Sequence, residues 1–288
     1  MKRFKAYLLS GILVVTSFNT TTLMAQTGKL PNVGETVAMD LIFDTSAVPV
    51  ESIHYLNLYT DLIGNLKTSK HSLEELNLMQ TTYLSNWAMG IGTLKTLDNG
   101  EDFTPTLGMS WLGLIDSNEQ AISLIEEMIF NTDFDDSQAL LKEVQRIKSN
   151  FKQNYNQNPL NIVMEYNEAS WNMANAYDNY SCQLEYYYFL EEIEHLIVKN
   201  PKEVSENLRK VAQLGLNRNN LIVGYVGNRN QLDTLKAQIQ SLIKVLPSES
   251  LEKADYSALK QYDNVGIKID STVNSFGYTF IFNFIGHL

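Results

Sequence analysis

The sequence holds a single cysteine, Cys182, in 288 residues. A lone thiol excludes any intramolecular disulfide in every redox compartment, so the fold must rest on its core. Positive charge is scarce as well. Lys and Arg number 22 against 33 Asp and Glu, giving a net charge of −11 at pH 7. Neutralising phosphates takes clustered Lys and Arg, so a nucleic-acid-binding surface is excluded. The acidic balance suits a soluble protein and favours basic partners. No segment approaches the ~18 apolar residues of a membrane span. Also missing are internal repeats, low-complexity tracts, a G-x-S-x-G nucleophile elbow and a phosphate-loop pattern around the glycines of "VGYVGN".

What is present is core material: 44% of residues are apolar and 10% aromatic. The N-terminus reads as an export signal. Basic "MKRFK" precedes the apolar "AYLLSGILVVTSF", and polar "NTTTLMAQ" follows, with Ala25 at the cleavage position. No cysteine lies there to accept a lipid. The mature chain is therefore expected to be secreted or extracytoplasmic, with residues 1–25 removed as a signal peptide; the alternative is that the segment is retained as an N-terminal anchor helix.

Periodicity gives the elements. In "TVAMDLIFDT", Val37, Met39, Leu41 and Phe43 fall on one face, the alternation of a half-buried strand. Pro49 opens a helical stretch in which Ile53, Leu56, Tyr59 and Ile63 recur up to Gly64. Ser72 with Glu75 makes a capping box for a second helix. "NWAMGIGTLKT" and "FTPTLGMSWLGL" read as strands joined at Asn99-Gly100, a dipeptide that tolerates positive φ in a hairpin turn. Ser117 with Gln120 suggests another capping box, before a helix buried through Ile122, Ile125, Met128 and Ile129. A long helix from Ser137 carries Leu140, Val144, Ile147, Phe151 and Tyr155 on one side. Residues 161–195 read as mostly helical with a break near Asp178 to Ser181. Pro201 begins a further helix, "NNLIVGYVG" is β-rich, and "QLDTLKAQIQSLIKVL" is amphipathic through Leu232, Leu235, Ile239 and Leu242.

A hairpin with helices segregated between strands predicts an α+β domain, with a mainly antiparallel sheet and helices packed on one face, over residues 30–246. The polar stretch 247–262 reads as a linker. Residues 263–288 begin like a strand and are too few to bury a core of their own, so they read as the truncated start of a further domain.

Four histidines are available for chemistry. "EEIEH", ending at His195, stops one residue short of H-x-x-E-H, in which two histidines bind zinc and the glutamate acts as base. "HSLEE", beginning at His71, fails at its last position. His54 precedes an apolar helix and His287 stands apart. A catalytic zinc needs three protein ligands and an open position, and no window supplies them. Glu191, Glu192, Glu194 and His195 alternate with apolar Leu190, Ile193 and Leu196 as on a solvated helix face. Cys182 has no histidine near it in sequence and reads as a small core residue. Tyr186, Tyr187, Tyr188 and Phe189 read either as core aromatics or as the lining of a peptide groove. No catalytic or metal-binding residue is assigned.

"FDTSAVPVESIHYLNLYTDLIGNLKTSKHSLEEL" resembles the third domain of the pitrilysin and insulinase family of inverzincin peptidases, and within it the presequence-protease branch. The likeness continues through "TPTLGMSWLGLIDSNEQAISLIEEMIFNTDFDD" and "EYYYFLEEIEHL" to "NNLIVGYVGNRNQL". It implies four related α+β domains in two bowl-shaped halves around a chamber, with the zinc site in the first domain. The fourth domain of that family supplies an Arg and a Tyr near the substrate. The resemblance therefore implies that this chain is a non-catalytic lid or chamber half of an exported zinc peptidase. Zinc would be held by the catalytic half and no cofactor by this chain, and unfolded or extended peptides and that half would be its partners. The alternative is a free-standing peptide-binding module without proteolytic activity.

Overall fold

The computed structural model describes residues 36–95, 103–227, 229–257, 259 and 266–267. The leader, the turn at Asn99 and Gly100, His287 and nearly all of 263–288 lie outside them. The described residues form an α+β domain. Strand β1 (Thr36–Asp44) alternates as its sequence predicts, with Val37, Met39, Leu41 and Phe43 at most 1% exposed. Strands β2 (Ser85–Lys95) and β3 (Phe103–Leu114) pair as the expected hairpin, and β4 (Leu221–Val226) closes the other edge. The order is β2-β3-β1-β4, and every pairing is antiparallel. Because side chains alternate across a strand, the register builds two faces. Met89, Met109, Leu41 and Val223 form one row of the inner face. The outer face carries Gly90, Gly108, Ile42 and Ile222, flanked by Ala88, Ser110, Asp40 and Gly224.

Helix α1 (Ile53–Leu62) lays Ile53, Leu56, Tyr59 and Leu62 into the core, all fully buried. It ends at Gly64, whose φ of +81° is a left-handed conformation that suits glycine. Any side chain there would also meet Gln80 Oε1 at 3.0 Å. Helix α2 (Leu73–Tyr83) starts with the predicted capping box complete: Ser72 accepts from Glu75 N, and Glu75 Oε2 accepts from Ser72 N at 2.8 Å. Helix α3 (Asn118–Asn131) is tied to α1 by Tyr59, whose hydroxyl donates to Ile129 O at 2.8 Å.

The capping box expected at Ser117 does not form. A 3-10 turn, Ile115–Ser117, precedes α3 and holds Ser117 out of extended backbone, so its hydroxyl turns back to Leu114 O and caps nothing. Helix α4 (Ser137–Gln157) is capped instead from Asp136, which accepts from Ala139 N at 3.1 Å. Helices α5 (Pro159–Ala169), α6 (Met173–Cys182) and α7 (Leu184–Lys199) follow. The break expected at Asp178 to Ser181 is therefore misplaced, since those residues are helical. The chain breaks at Ser170–Asn172, where Asn172 caps α6 by accepting from Asn175 N, and again at Gln183. Helix α8 (Pro201–Gly215) opens on its proline, as that residue's fixed φ favours, and α9 (Leu232–Val245) is the last helix described.

One large core fills the space between the inner sheet face and the helices. Trp111 is 1% exposed within it, and its indole donates to Asn118 Oδ1 at 3.2 Å, so the buried N–H is satisfied. A smaller cluster of Tyr155, Ile162, Tyr166, Ala169 and Ala176 joins α4, α5 and α6. Beyond α9 the chain runs back across the domain. Asn217 and Asn219 donate to Glu249 O and Ser248 O, Ala254 N donates to Ser46 O at 2.7 Å, and the Tyr256 hydroxyl reaches Val48 O at 2.8 Å.

Candidate functional site

The sequence singles out three described histidines, and the fold separates them. His54 is the second residue of α1 and is buried, so it does not precede the helix as its sequence suggests. Its Nε2 lies 2.8 Å from Tyr180 O, which fixes that nitrogen as a donor. The ring stacks on Tyr180 at 4.4 Å and tilts against Phe189. Burial lowers its pKa, against upward pulls from the Tyr180 carbonyl, Glu185 and Glu192. A ring held this way is a helix-packing group joining α1 to α6 and α7. His71 lies in the loop before α2, where its Nδ1 contacts Glu127 Oε1 at 2.8 Å. The same oxygen accepts from Thr68 Oγ1 at 2.5 Å. His195 is exposed on α7.

"EEIEH" occupies the outer flank of α7. Ile193 points inward, Glu192 and His195 are exposed, and Glu194 pairs with Lys148 of α4. The segment thus contributes an ion pair between two helices. The aromatic run divides around the helix in the same way. Tyr186 is buried, Phe189 packs on His54 and Tyr55, Tyr187 meets Phe151, and Tyr188 is 56% exposed. Four consecutive helical residues cannot share a face at about 100° per residue, so they make no continuous lining. Cys182 ends α6, with its Sγ 3.4 Å from Ser181 Oγ, and burial pushes the thiol up to about 12. At that value the thiol stays protonated at neutral pH. Among the described residues, no three His, Cys, Asp or Glu side chains converge so as to hold a metal ion.

Two buried carboxyls that the sequence did not single out as site residues are pushed up furthest. Asp61, near the end of α1, accepts from the Tyr186 hydroxyl at 2.7 Å. Burial lifts it to about 6, against the pull of that hydrogen bond and of Arg146. Asp178 on α6 accepts from Thr93 Oγ1 of β2 at 2.9 Å, and burial raises it to about 6 as well. Nothing near Asp61 in sequence signals a partner 125 residues away. Each carboxyl accepts from one hydroxyl, and the two contacts tie α1 to α7 and α6 to β2.

A family model described as peptidase M-16C associated matches residues 36–193, from β1 into α7. The chain belongs to this peptidase-associated family. The resemblance read in the sequence is thereby borne out, and the domain is a peptidase-associated one. Protein HypA of Clostridium perfringens (strain 13 / Type A) is 25% identical over 235 residues, covering 82% of this peptidase-associated chain and 24% of HypA. Among solved structures, the periplasmic protease PqqL from Escherichia coli aligns at 14% identity and a TM-score of 0.47, over 81% of this chain and 23% of its own. A conserved protein from Enterococcus faecalis V583 aligns at 14% identity and a TM-score of 0.48, over 81% of this chain and 51% of its own. The chain thus spans about a quarter of the length of HypA and of PqqL.

Proposed function

We propose that this chain is a non-catalytic lid or chamber-wall portion of an extracytoplasmic zinc metallopeptidase that degrades peptides, with the zinc site in a separate catalytic half. The family match over residues 36–193 carries this reading. The length relation to HypA supports it, since the chain matches only 24% of that relative. The basic-then-apolar N-terminus supports the extracytoplasmic placement, and no helix among the described residues is long and apolar enough to cross a membrane. In this reading the described part of residues 247–262, which packs back on the domain through Ala254 and Tyr256, leads toward a further domain near 263.

The chain's own residues contribute shape and charge. The outer face of the sheet, with small Gly90, Gly108, Ser110 and Gly224 around Asp40, is the wall it offers to a chamber. Asp40, whose pKa burial raises, is the acidic group at its centre. The test adds the full chain to a catalytic half from the same source and follows a quenched fluorescent peptide, with and without a chelator. The expected result is chelator-sensitive cleavage that rises when the chain is added. Unchanged cleavage would overturn the reading, and peptide binding by the chain alone would then favour a free-standing binding module.

A further inference from the structure

Between α2 and α3 lies an open cleft of 410 Å³, lined by Lys70, Met79, Tyr83, Glu119, Ser123 and Glu127, with Gln120 and Leu124 completing it. That volume lies within the ~300–1,000 Å³ of small-molecule sites. The helices run in opposite directions along it. The His71–Glu127 contact sets the start of α2 beside the end of α3. At the far end Tyr83 shares the cleft with Glu119 and Gln120. The cleft carries charged groups at both ends. Lys70 stands at one end, next to a Glu127 whose Oε1 is already taken by Thr68 and His71. Glu119 stands at the other end with no cation among the lining residues there. Half-buried Met79 supplies the apolar part of the lining, and Ser123, Gln120 and Tyr83 offer hydroxyl and amide groups along the sides.

We propose that this cleft binds a short zwitterionic peptide of three to four residues, its C-terminal carboxylate on Lys70 and its terminal ammonium on Glu119. The dimensions fit. Glu119 and Glu127 are eight residues apart on α3, a rise of ~12 Å, and an extended peptide covers ~3.3 Å per residue. The chemistry fits as well. Opposite charges at the two ends select a ligand with both termini free, which distinguishes a cleavage product from an intact longer chain. The flexible thioether of Met79 accepts varied side chains without demanding a sequence. The peptide nature of the occupant rests on the peptidase-associated reading, whereas recognition of two opposite charges rests on the cleft alone.

The test titrates trialanine into the full chain by NMR or calorimetry, beside N-acetyl-trialanine and trialanine amide. No cleavage is read, so its outcome is independent of the reconstitution assay. Trialanine should bind saturably, and blocking either terminus should weaken binding about fivefold, the scale of a partly exposed ion pair. Lys70→Met should erase the penalty for the amide and keep the penalty for the acetyl group, and Glu119→Gln should do the reverse. Both side chains are exposed, and an unchanged melting temperature certifies each variant's fold. Absence of saturation by about 10 mM, or blocked peptides that bind as well as the free one, would overturn the proposal. Penalties that persist unchanged in both variants would do the same.

Discussion

Asp61 and Asp178 hold their protons to about pH 6 in the folded chain, because burial disfavours their charge. An unfolded aspartate loses its proton near pH ~3.9. Between about pH 4 and pH 6 the folded state therefore binds more protons than the unfolded state, and stability falls as pH rises through that window. The difference between those two values corresponds to at most about 3 kcal/mol for each carboxyl. Asp61→Asn and Asp178→Asn keep an acceptor for Tyr186 and Thr93 and remove the titration. Each variant should gain stability relative to the parent on going from pH 4 to pH 7, as measured by urea unfolding at the two pH values; an identical difference at both would refute the assignment. His54 acts in the opposite sense. Its lowered pKa means that stability is lost as pH falls below about 6.5, so each variant must be compared with the parent at the same pH. None of this was legible in the sequence. Asp61 meets Tyr186 and Asp178 meets Thr93 only through tertiary packing, whereas local spacing directs attention to "EEIEH", a solvated flank.

The elements were legible wherever a local rule coincided with burial. β1 follows its alternation because one face packs on helices, and α8 starts where its proline allows. The two Ser-x-x-Glu/Gln patterns show where the rule stops. Ser72 is itself extended, with φ −65° and ψ 162°, and caps α2, whereas Ser117 ends a 3-10 turn at φ −110° and ψ 6° and does not cap α3. The residues alone do not carry that difference, because the geometry of the hairpin exit sets it. Ser72→Ala should cost about 1 kcal/mol, and Ser117→Ala should stay within about 0.5 kcal/mol. Chemical denaturation of the two variants side by side tests this, and equal losses would contradict the cap assignment. The misplaced helix break has a related cause. "DNYS" has turn-forming composition, yet α6 continues through it because Tyr177 and Asn179 are buried against the core, and tertiary burial overrides weak local preference.

At the scale of the molecule, the α+β architecture and the family could be read from the sequence because a strand, a helix and a hairpin recur in recognisable order over residues 36–193. The proposed division of labour with a catalytic half is not something periodicity can carry, since periodicity reports on local structure alone. Charge and geometry describe the domain at this scale. The chain is acidic overall, its only thiol is desolvated and protonated, and its described histidines stand apart from one another in packing, loop and surface positions. The most direct measurement of the central claim incubates the purified chain alone with a quenched fluorescent peptide, in added Zn²⁺ and in chelator. The account predicts no cleavage above the blank in either condition. Chelator-sensitive hydrolysis by this chain alone would contradict it and place the catalytic chemistry within these 288 residues.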